Sequence, residues 1–182
     1  GDTTMVSSLL LTFRFPCTAA LSPLTAFFRS LGIADVLQVG GLERASYETG
    51  LVGHRTIRDG RVVDDPLIMD ERFLAAEVRG RGVTVLSACS HAGVVNACLA
   101  AGDAFDGAPV DVVLGGYHLA GAAMEARIDP TVRDLVELVR PAVVAPGHCT
   151  GWRAAAALAA AFAPDRYGPS VVGSTYVLSA VD

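Results

Sequence analysis

The second half of the chain repeats one pattern: a short apolar segment, a turn with a histidine, and a helix-forming segment. The three apolar segments are VTVLSA, VDVVLGG and AVVAPG. Their short length, their β-branched residues and the glycine or serine at their ends predict buried strands. Strands that alternate with helices in this way predict a layered α/β domain, and no other feature of the sequence limits the fold as strongly.

The segments between these strands have the composition of helices. HAGVVNACLAAG predicts a helix that ends at Gly102, and DPTVRDLVELVR predicts a second, with Pro130 in its first turn and Pro141 after its end. GWRAAAALAAAFAP is rich in alanine and predicts a third, and SVVGSTYVLSA predicts a closing strand. Nearer the N-terminus, SPLTAFFRSLG predicts a capped helix that ends at Gly32. Residues 41–80 predict a long polar connection with short strands.

Composition and charge narrow the class of protein. The chain has 182 residues, of which 52% are hydrophobic and 18% charged, so we expect one folded domain over residues 1–182. Its net charge of −5, without a cluster of Lys or Arg, argues against a nucleic-acid partner. The apolar N-terminal stretch is interrupted by Arg14, Pro16 and Pro23. It therefore predicts a core strand and helix, or the ragged start of a fragment, and not a signal peptide or membrane span.

Three of the four histidines follow the predicted strands directly. His91 follows VTVLSA, His118 follows VDVVLGG, and His148 follows AVVAPG. Because ligands of open α/β sheets bind at the carboxyl ends of the strands, these imidazoles are candidates to meet at one metal ion. An all-nitrogen site with an open position is typical of catalytic zinc. The fourth histidine, His54, lies in a polar loop and is interpreted as a surface residue.

Other interpretations of these residues stay open. A single histidine after a strand usually binds a backbone carbonyl or caps a helix. The four cysteines are scattered, without a CxxC pair, and indicate reduced thiols of a cytoplasmic protein. Cys89 and Cys149 stand next to the histidine turns and are either soft metal ligands or small core residues.

The turns at residues 90–93 and 147–151 place backbone amides beside the expected metal. Such amides suit an anionic group or a developing oxyanion. Asn96 and Thr150 are the candidate substrate-binding residues, although Thr150 also suits a helix N-cap and Asn96 a supporting hydrogen bond. The acidic run at residues 61–72 is interpreted as a solvated loop, with contact to the site or to a partner subunit as the alternative.

Four segments, in chain order, carry a resemblance to a known family. LSACSHAGVVN, VVLGGYHLAG, VVAPGHCTGWRA and SVVGSTYVL resemble the distal half of metallo-β-lactamase-fold metallohydrolases. The branch they resemble is that of the 7,8-dihydropterin-6-methyl-4-(β-D-ribofuranosyl)aminobenzene-5′-phosphate synthase-like proteins, over about residues 40 to 180. The resemblance implies an αββα sandwich that binds one or two zinc ions, or iron or manganese. It also implies His91 and His148 as metal ligands and His118 as a third ligand or as a catalytic acid or base.

The implied activity is hydrolysis of a small-molecule ester, phosphoester or pterin-related substrate by a metal-activated water. The superfamily's HxHxDH motif is absent, since no two histidines lie within six residues of each other. We therefore expect a fold that is incomplete at its N-terminal side, either as a fragment or as a degenerate member. Two alternatives remain: a non-catalytic module that binds a small anion, and an assembly in which another chain supplies the motif. The expected partners are a small-molecule substrate and, in a homo-oligomer, a second copy of the chain.

Overall fold

The computed structural model describes the strand backbones of residues 8–12 and 34–38 and the whole of residues 45–181. The helix expected over residues 22–32 lies outside this part of the chain. The described strands are β1 Ser8–Thr12, β2 Ala34–Gln38, β3 Arg55–Arg58, β4 Arg61–Asp64, β5 Arg72–Val78, β6 Gly82–Ser87, β7 Val110–Gly116, β8 Val143–Gly147 and β9 Thr175–Ser179. The described α-helices are α1 Val94–Ala104, α2 Ala122–Glu125, α3 Ile128–Asp134 and α4 Trp152–Phe162.

A five-stranded sheet with the order β2-β5-β6-β7-β8 forms the centre of the described fold. β6, β7 and β8 are parallel, whereas β5 is antiparallel to both β2 and β6. Every residue of β7 is buried, as expected for a central strand with both faces covered. Two further pairs, β1 with β9 and β3 with β4, are antiparallel.

The two faces of the central sheet are covered differently. One face packs against the helices. Its core includes Val95 of α1, Leu135, which directly follows α3, and Leu158 of α4. The other face packs against β9, whose Leu178 joins Leu86 and Leu114 in a second core. Helices, sheet and second sheet are three of the layers that an αββα sandwich requires, so the mixed α/β fold class is confirmed.

The elements expected after residue 82 are confirmed, with small differences at their ends. α1 extends to Ala104, two residues beyond the expected end at Gly102. The segment DPTVRDLVELVR forms α3 and then a π-helical turn at Leu135–Val139, which ends where Arg140 takes a left-handed conformation. Such a turn widens the helix before β8 begins.

The expectation for residues 41–80 is correct in part. The short strands β3 and β4 lie there, as the polar composition indicates. β5, however, is a buried strand next to the middle of the central sheet, and its core is Phe73–Ala76. Among the described residues, no helix combines the length and the apolar character needed to cross a membrane.

Candidate metal centre

The carboxyl ends of β6, β7 and β8 bring together the side chains of three loops. Cys89 and His91 follow β6, His118 follows β7, and Cys149 lies in the short 3-10 turn after β8. The three strands are parallel neighbours, so their last residues share one edge of the sheet. This edge is where side chains from segments distant in the chain can meet.

The donor atoms at this edge lie within contact distance. Sγ of Cys89 is 2.9 Å from Sγ of Cys149 and 3.5 Å from Nδ1 of His118. One donor atom from each of these three residues lies within 4.8 Å of the other two. The ring of His91 meets that of His118 edge to face, with the centroids 4.4 Å apart and the planes at 77°. Two imidazoles and two thiols therefore form one cluster.

Strained backbone accompanies the cluster. Among the described residues other than glycine, seven have a positive φ. Three of these follow the parallel strands: Ser90 with φ 57°, His118 with φ 48° and His148 with φ 49°. Left-handed conformations of such residues cost free energy and are found mostly where they position functional groups. The strain is consistent with loops that are shaped to orient side chains.

Two contacts fix the loop after β7 against the turn after β8. Oγ1 of Thr150 donates a hydrogen bond to the carbonyl oxygen of Gly147 at 2.7 Å and accepts one from the amide of Tyr117 at 3.2 Å. The amide of Ala120 donates to the carbonyl oxygen of Cys149 at 3.3 Å. These bonds lie on both sides of His118, so they hold its backbone close to Cys149.

Glu71 holds His91 in place from outside the three loops. Its Oε1 lies 3.0 Å from Nδ1 of the His91 ring and accepts a hydrogen bond from the His91 amide at 2.8 Å. Its Oε2 accepts one from the amide of Ala92 at 2.6 Å. The carboxylate thus bridges the side chain and the backbone of the same histidine. This is the arrangement by which an acidic residue orients an imidazole toward a metal.

Glu71 and His91 each stabilise the charged form of the other. The hydrogen bond with Glu71 raises the pKa of His91, although partial burial opposes the shift. Burial alone would raise the pKa of Glu71, but the hydrogen bonds from the His91 ring and from the amides of Ala92 and His91 outweigh it and lower that pKa. In the absence of metal, the pair therefore favours an imidazolium next to a carboxylate.

Cys149 is placed to be a thiolate. The hydrogen bond from the side chain of Cys89 lowers the pKa of Cys149 to about 5, and contacts with His118 act in the same direction against the effect of burial. The thiolate is the form of cysteine that binds a metal. Cys98, by contrast, lies in the core, where burial raises the pKa of its thiol.

A second carboxylate, Glu48, caps the start of α1. Its two oxygens accept hydrogen bonds from the amides of Val95 and Asn96 at 3.0 and 2.6 Å. Gly93 has φ 111° and no side chain, and a Cβ there would collide with this carboxylate. Burial raises the pKa of Glu48 to about 7, although the hydrogen bonds from Asn96 and Val95 oppose the shift.

The turn at residues 90–93 is therefore not an open anion site, contrary to the expectation from the sequence. Amides at His91 and Ala92 bind Glu71, and those at the start of α1 bind Glu48. An incoming anion would have to displace carboxylates of the chain itself. The interpretation of residues 61–72 as a solvated loop is likewise wrong for Glu71, which contacts the site, and for Asp65, which is buried.

The two candidate substrate-binding residues have buried side chains. Asn96 accepts a hydrogen bond from the amide of Ala45 at 2.9 Å. It donates to the carbonyl oxygens of Glu48 and Ala92 at 3.2 and 2.8 Å. Thr150 makes the loop contacts described above and is 2% exposed. Both bind backbone groups that shape the site, and their contact with a substrate stays a prediction.

The histidines differ in how closely they meet. His91 and His118 are in ring contact, whereas His148 is exposed and outside the donor group formed by Cys89, His118 and Cys149 among the described residues. The role of His148 as a ligand stays a prediction. His54 is partly buried, and its Nδ1 lies 2.9 Å from the carbonyl oxygen of Asp65, away from the cluster.

Sequence patterns alone did not identify Glu71, because its contact with His91 depends on β5 lying next to β6. Cys89 and Cys149 carried a usable signal, since each stands within two residues of a histidine at a strand end. Their thiols add sulfur donors to the histidines that the sequence predicts as ligands. Two sulfurs with one or more imidazoles are donors that zinc and other borderline or soft metals prefer. The residues present therefore fit a metal ion.

The chain is similar to a protein of known name and to a solved structure. No family model matches the chain. The 7,8-dihydropterin-6-methyl-4-(β-D-ribofuranosyl)aminobenzene-5′-phosphate synthase of Methanocaldococcus jannaschii is 34% identical over 125 residues, which are 68% of this chain and 41% of that relative. The crystal structure of Tm1679, a metal-dependent hydrolase of the β-lactamase superfamily, matches with a TM-score of 0.67 and 26% identity. This match covers 80% of this chain and 54% of that one. The chain thus spans about half or less of the length of both proteins.

Proposed function

The resemblance to the metallo-β-lactamase superfamily is confirmed in both fold and sequence, and from it we propose that the chain carries part of the active site of a metal-dependent hydrolase. The observation that carries the proposal is the cluster of Cys89, His91, His118 and Cys149 at one edge of the parallel strands. The substrate is a small molecule with an ester, phosphoester or pterin-related group. Zinc is the proposed metal, with iron or manganese as alternatives, in one or two sites.

The proposed metal ligands are His91, His118 and His148, with the thiols of Cys89 and Cys149 as further donors. A bound metal would supply an activated water and polarise the substrate oxygen that develops negative charge. Because Nδ1 of His91 faces Glu71, Nε2 is the ring nitrogen left for the metal. Glu71 therefore fixes both the tautomer and the direction of that imidazole.

His118 has a second proposed role, as catalytic acid or base. It lies between the His91 ring and the Cys89 thiol, so its ring is held from two sides. A histidine held in this way could transfer a proton to or from a reacting group within hydrogen-bond reach. Asn96 and Thr150 remain proposed substrate-binding residues. Their observed hydrogen bonds would also position the loops that contact the substrate.

Metal binding by the chain itself is the direct test. The metal-free protein is titrated with zinc in competition with a chromophoric chelator, and its stoichiometry and affinity are measured for wild type, His91→Ala and His118→Ala. His54→Ala is the matched control, since the ring of His54 contacts Asp65, which is not a residue of the cluster. We expect the two cluster variants to lose at least tenfold in affinity and the control to equal wild type.

Hydrolysis is then measured with aryl esters and aryl phosphodiesters on the zinc-loaded protein. A rate that requires zinc and falls in the two cluster variants supports the hydrolase. Zinc binding that is substoichiometric and equal in all variants contradicts the proposal and favours the non-catalytic module that binds a small anion. The filled amides at His91 and Ala92 argue against that module at this turn. A cytoplasmic location, as the cysteine pattern indicates, stays a prediction.

A further inference from the structure

Two thiols face each other at the edge of the central sheet. Cys89 follows β6 and Cys149 follows β8, and β7 lies between these strands. Their sulfurs can meet because Gly116, at the end of β7, has no side chain. A Cβ at Gly116 would lie 2.9 Å from Sγ of Cys149 and 3.1 Å from Cα of Cys89. Sγ of Cys149 also lies 3.4 Å from the carbonyl oxygen of Cys89.

The distance between the two sulfurs is intermediate between that of a disulfide and that of two thiolates on one zinc ion. They are 2.9 Å apart. Two thiolates on one tetrahedral zinc lie about 3.8 Å apart, given Zn–S bonds of about 2.3 Å, whereas bonded sulfurs lie about 2 Å apart. A movement of less than about 1 Å therefore reaches either state. The two sulfurs are therefore already within reach of forming a bond.

Small oxidants can reach this pair but not the third described cysteine. Cys89 and Cys149 are both partly exposed, and neither is in a disulfide. Cys98 is 1% exposed and packs within the helix-covered core. Oxidation of cysteine follows exposure and a resolving thiol nearby. Cys89 and Cys149 are therefore expected to react, and Cys98 serves as an unreactive cysteine for comparison.

We propose that Cys89 and Cys149 are a redox-active pair that hydrogen peroxide converts to an intramolecular disulfide. The first sulfur attacks one peroxide oxygen, the O–O bond breaks, and a sulfenic acid and one water form. The second sulfur then attacks the sulfenic sulfur, the S–O bond breaks, and the hydroxyl leaves as a second water with the thiol proton. Two sulfurs lose two electrons in total, and the peroxide gains them. A dithiol reductant reverses the change and itself becomes a disulfide.

The site would act as a modification site whether or not the chain is a hydrolase. Disulfides of this kind, exposed and close to functional groups, are the reducible ones, whereas structural disulfides resist reduction. Oxidation would convert to a disulfide the two sulfurs that lie next to His118. The proposal does not require a metal, and its test is made on metal-free protein.

The experiment counts thiols in the whole chain. Metal-free protein is exposed to hydrogen peroxide, the excess is destroyed with catalase, and the unfolded chain is alkylated and weighed by mass spectrometry. The reduced chain has four cysteines to alkylate. We expect the oxidised chain to take up two alkyl groups fewer and to recover them after treatment with dithiothreitol. Tryptic peptides 82–127 and 134–153 should then be joined by a disulfide.

Variants assign the bond within these peptides. Cys89 and Cys98 share the first peptide, so Cys98→Ser is the matched control and should still lose two alkylation sites. Cys89→Ser and Cys149→Ser should form no linked peptide and should lose at most one site each, as a sulfenic acid that has no second thiol to attack it. The linked peptide of wild type tests the proposal even where a variant fails to fold. Thiols that stay fully alkylated, sulfinic acids in place of a disulfide, or a bond to Cys17, to Cys98 or between two chains would overturn it.

Discussion

Glu71 and His91 form a contact that joins the antiparallel strand β5 to the loop after the parallel strand β6. The carboxylate lies 3.0 Å from Nδ1 of the imidazole and also binds the amide of the same residue. A single side chain therefore fixes the position of His91 and the direction of its ring. We expect this contact, and the loops around it, to affect both metal binding and stability.

Removal of the Glu71 charge should weaken metal binding without removing a ligand. Glu71→Gln keeps the size of the side chain but loses the carboxylate that orients the His91 ring. Loss of such a supporting group typically costs about 10- to 100-fold in affinity. The measurement is zinc competition at mildly alkaline pH, where protons compete least with the metal. Asp70→Asn, an exposed neighbour, is the control; equal affinities for Glu71→Gln and wild type would show that Glu71 does not support a metal ligand.

The same pair should shape the pH dependence of stability in the metal-free chain. The pKa of His91 is raised, so its contribution is complete below pH 6.5 and is lost as the pH rises through the folded-state value. The pKa of Glu71 is lowered, so its contribution is complete above pH 4.5 and is lost as the pH falls through its folded-state value. Both contributions are present together between these two pH values.

Wild type and Glu71→Gln should therefore differ most in free energy of unfolding between pH 4.5 and 6.5. We expect a difference of about 1 kcal/mol after allowance for solvent screening of the half-exposed imidazole. Urea unfolding of both proteins across this range gives the curve. A difference that is constant with pH would mean that the two groups do not interact as an ion pair.

Substitution of Asn96 can distinguish a structural role of this residue from contact with the substrate. Asn96→Ala removes a buried side chain that accepts from the amide of Ala45 and donates to two carbonyl oxygens. Unsatisfied buried groups cost about 1–3 kcal/mol each, so we expect a loss of at least about 2 kcal/mol in urea unfolding. The exposed Glu77→Gln on β5 is the control for stability. A variant of unchanged stability with a raised KM would assign Asn96 to the substrate instead.

Much of the fold can be predicted from the sequence, because the patterns that determine it are local. The strands that form β6, β7 and β8 are short and apolar throughout, and such segments are buried in a parallel sheet. β5 was harder to identify, since Arg72 and Glu77 interrupt its apolar run near the ends. Its burial depends on pairing with β6, which follows it after a short turn, and with β2, which is distant in the sequence.

The sequence predicted those residues of the site that directly follow a strand. His91 and His118 meet because parallel strands end at one edge. Glu71 reaches them from a segment that looks like an acidic loop, and charge composition alone gives no direction to a side chain. The thiols of Cys89 and Cys149 meet across β7, which no spacing in the sequence encodes. Contacts of this type are set by strand order and not by local pattern.

Gly116 tests whether close approach of the three loops is required. A Cβ at this position would lie 2.6 Å from the carbonyl oxygen of Ala88 and 2.9 Å from Sγ of Cys149. The first of these is backbone and cannot move without the loop after β6. Gly116→Ala should therefore cost about 1–3 kcal/mol in urea unfolding, and it should slow disulfide formation by separating the sulfurs. Gly168→Ala is the matched control, since no atom lies within 4 Å of its added Cβ. If both variants unfold at the same urea concentration as wild type, the loops tolerate a methyl group and the thiol contact does not depend on this glycine.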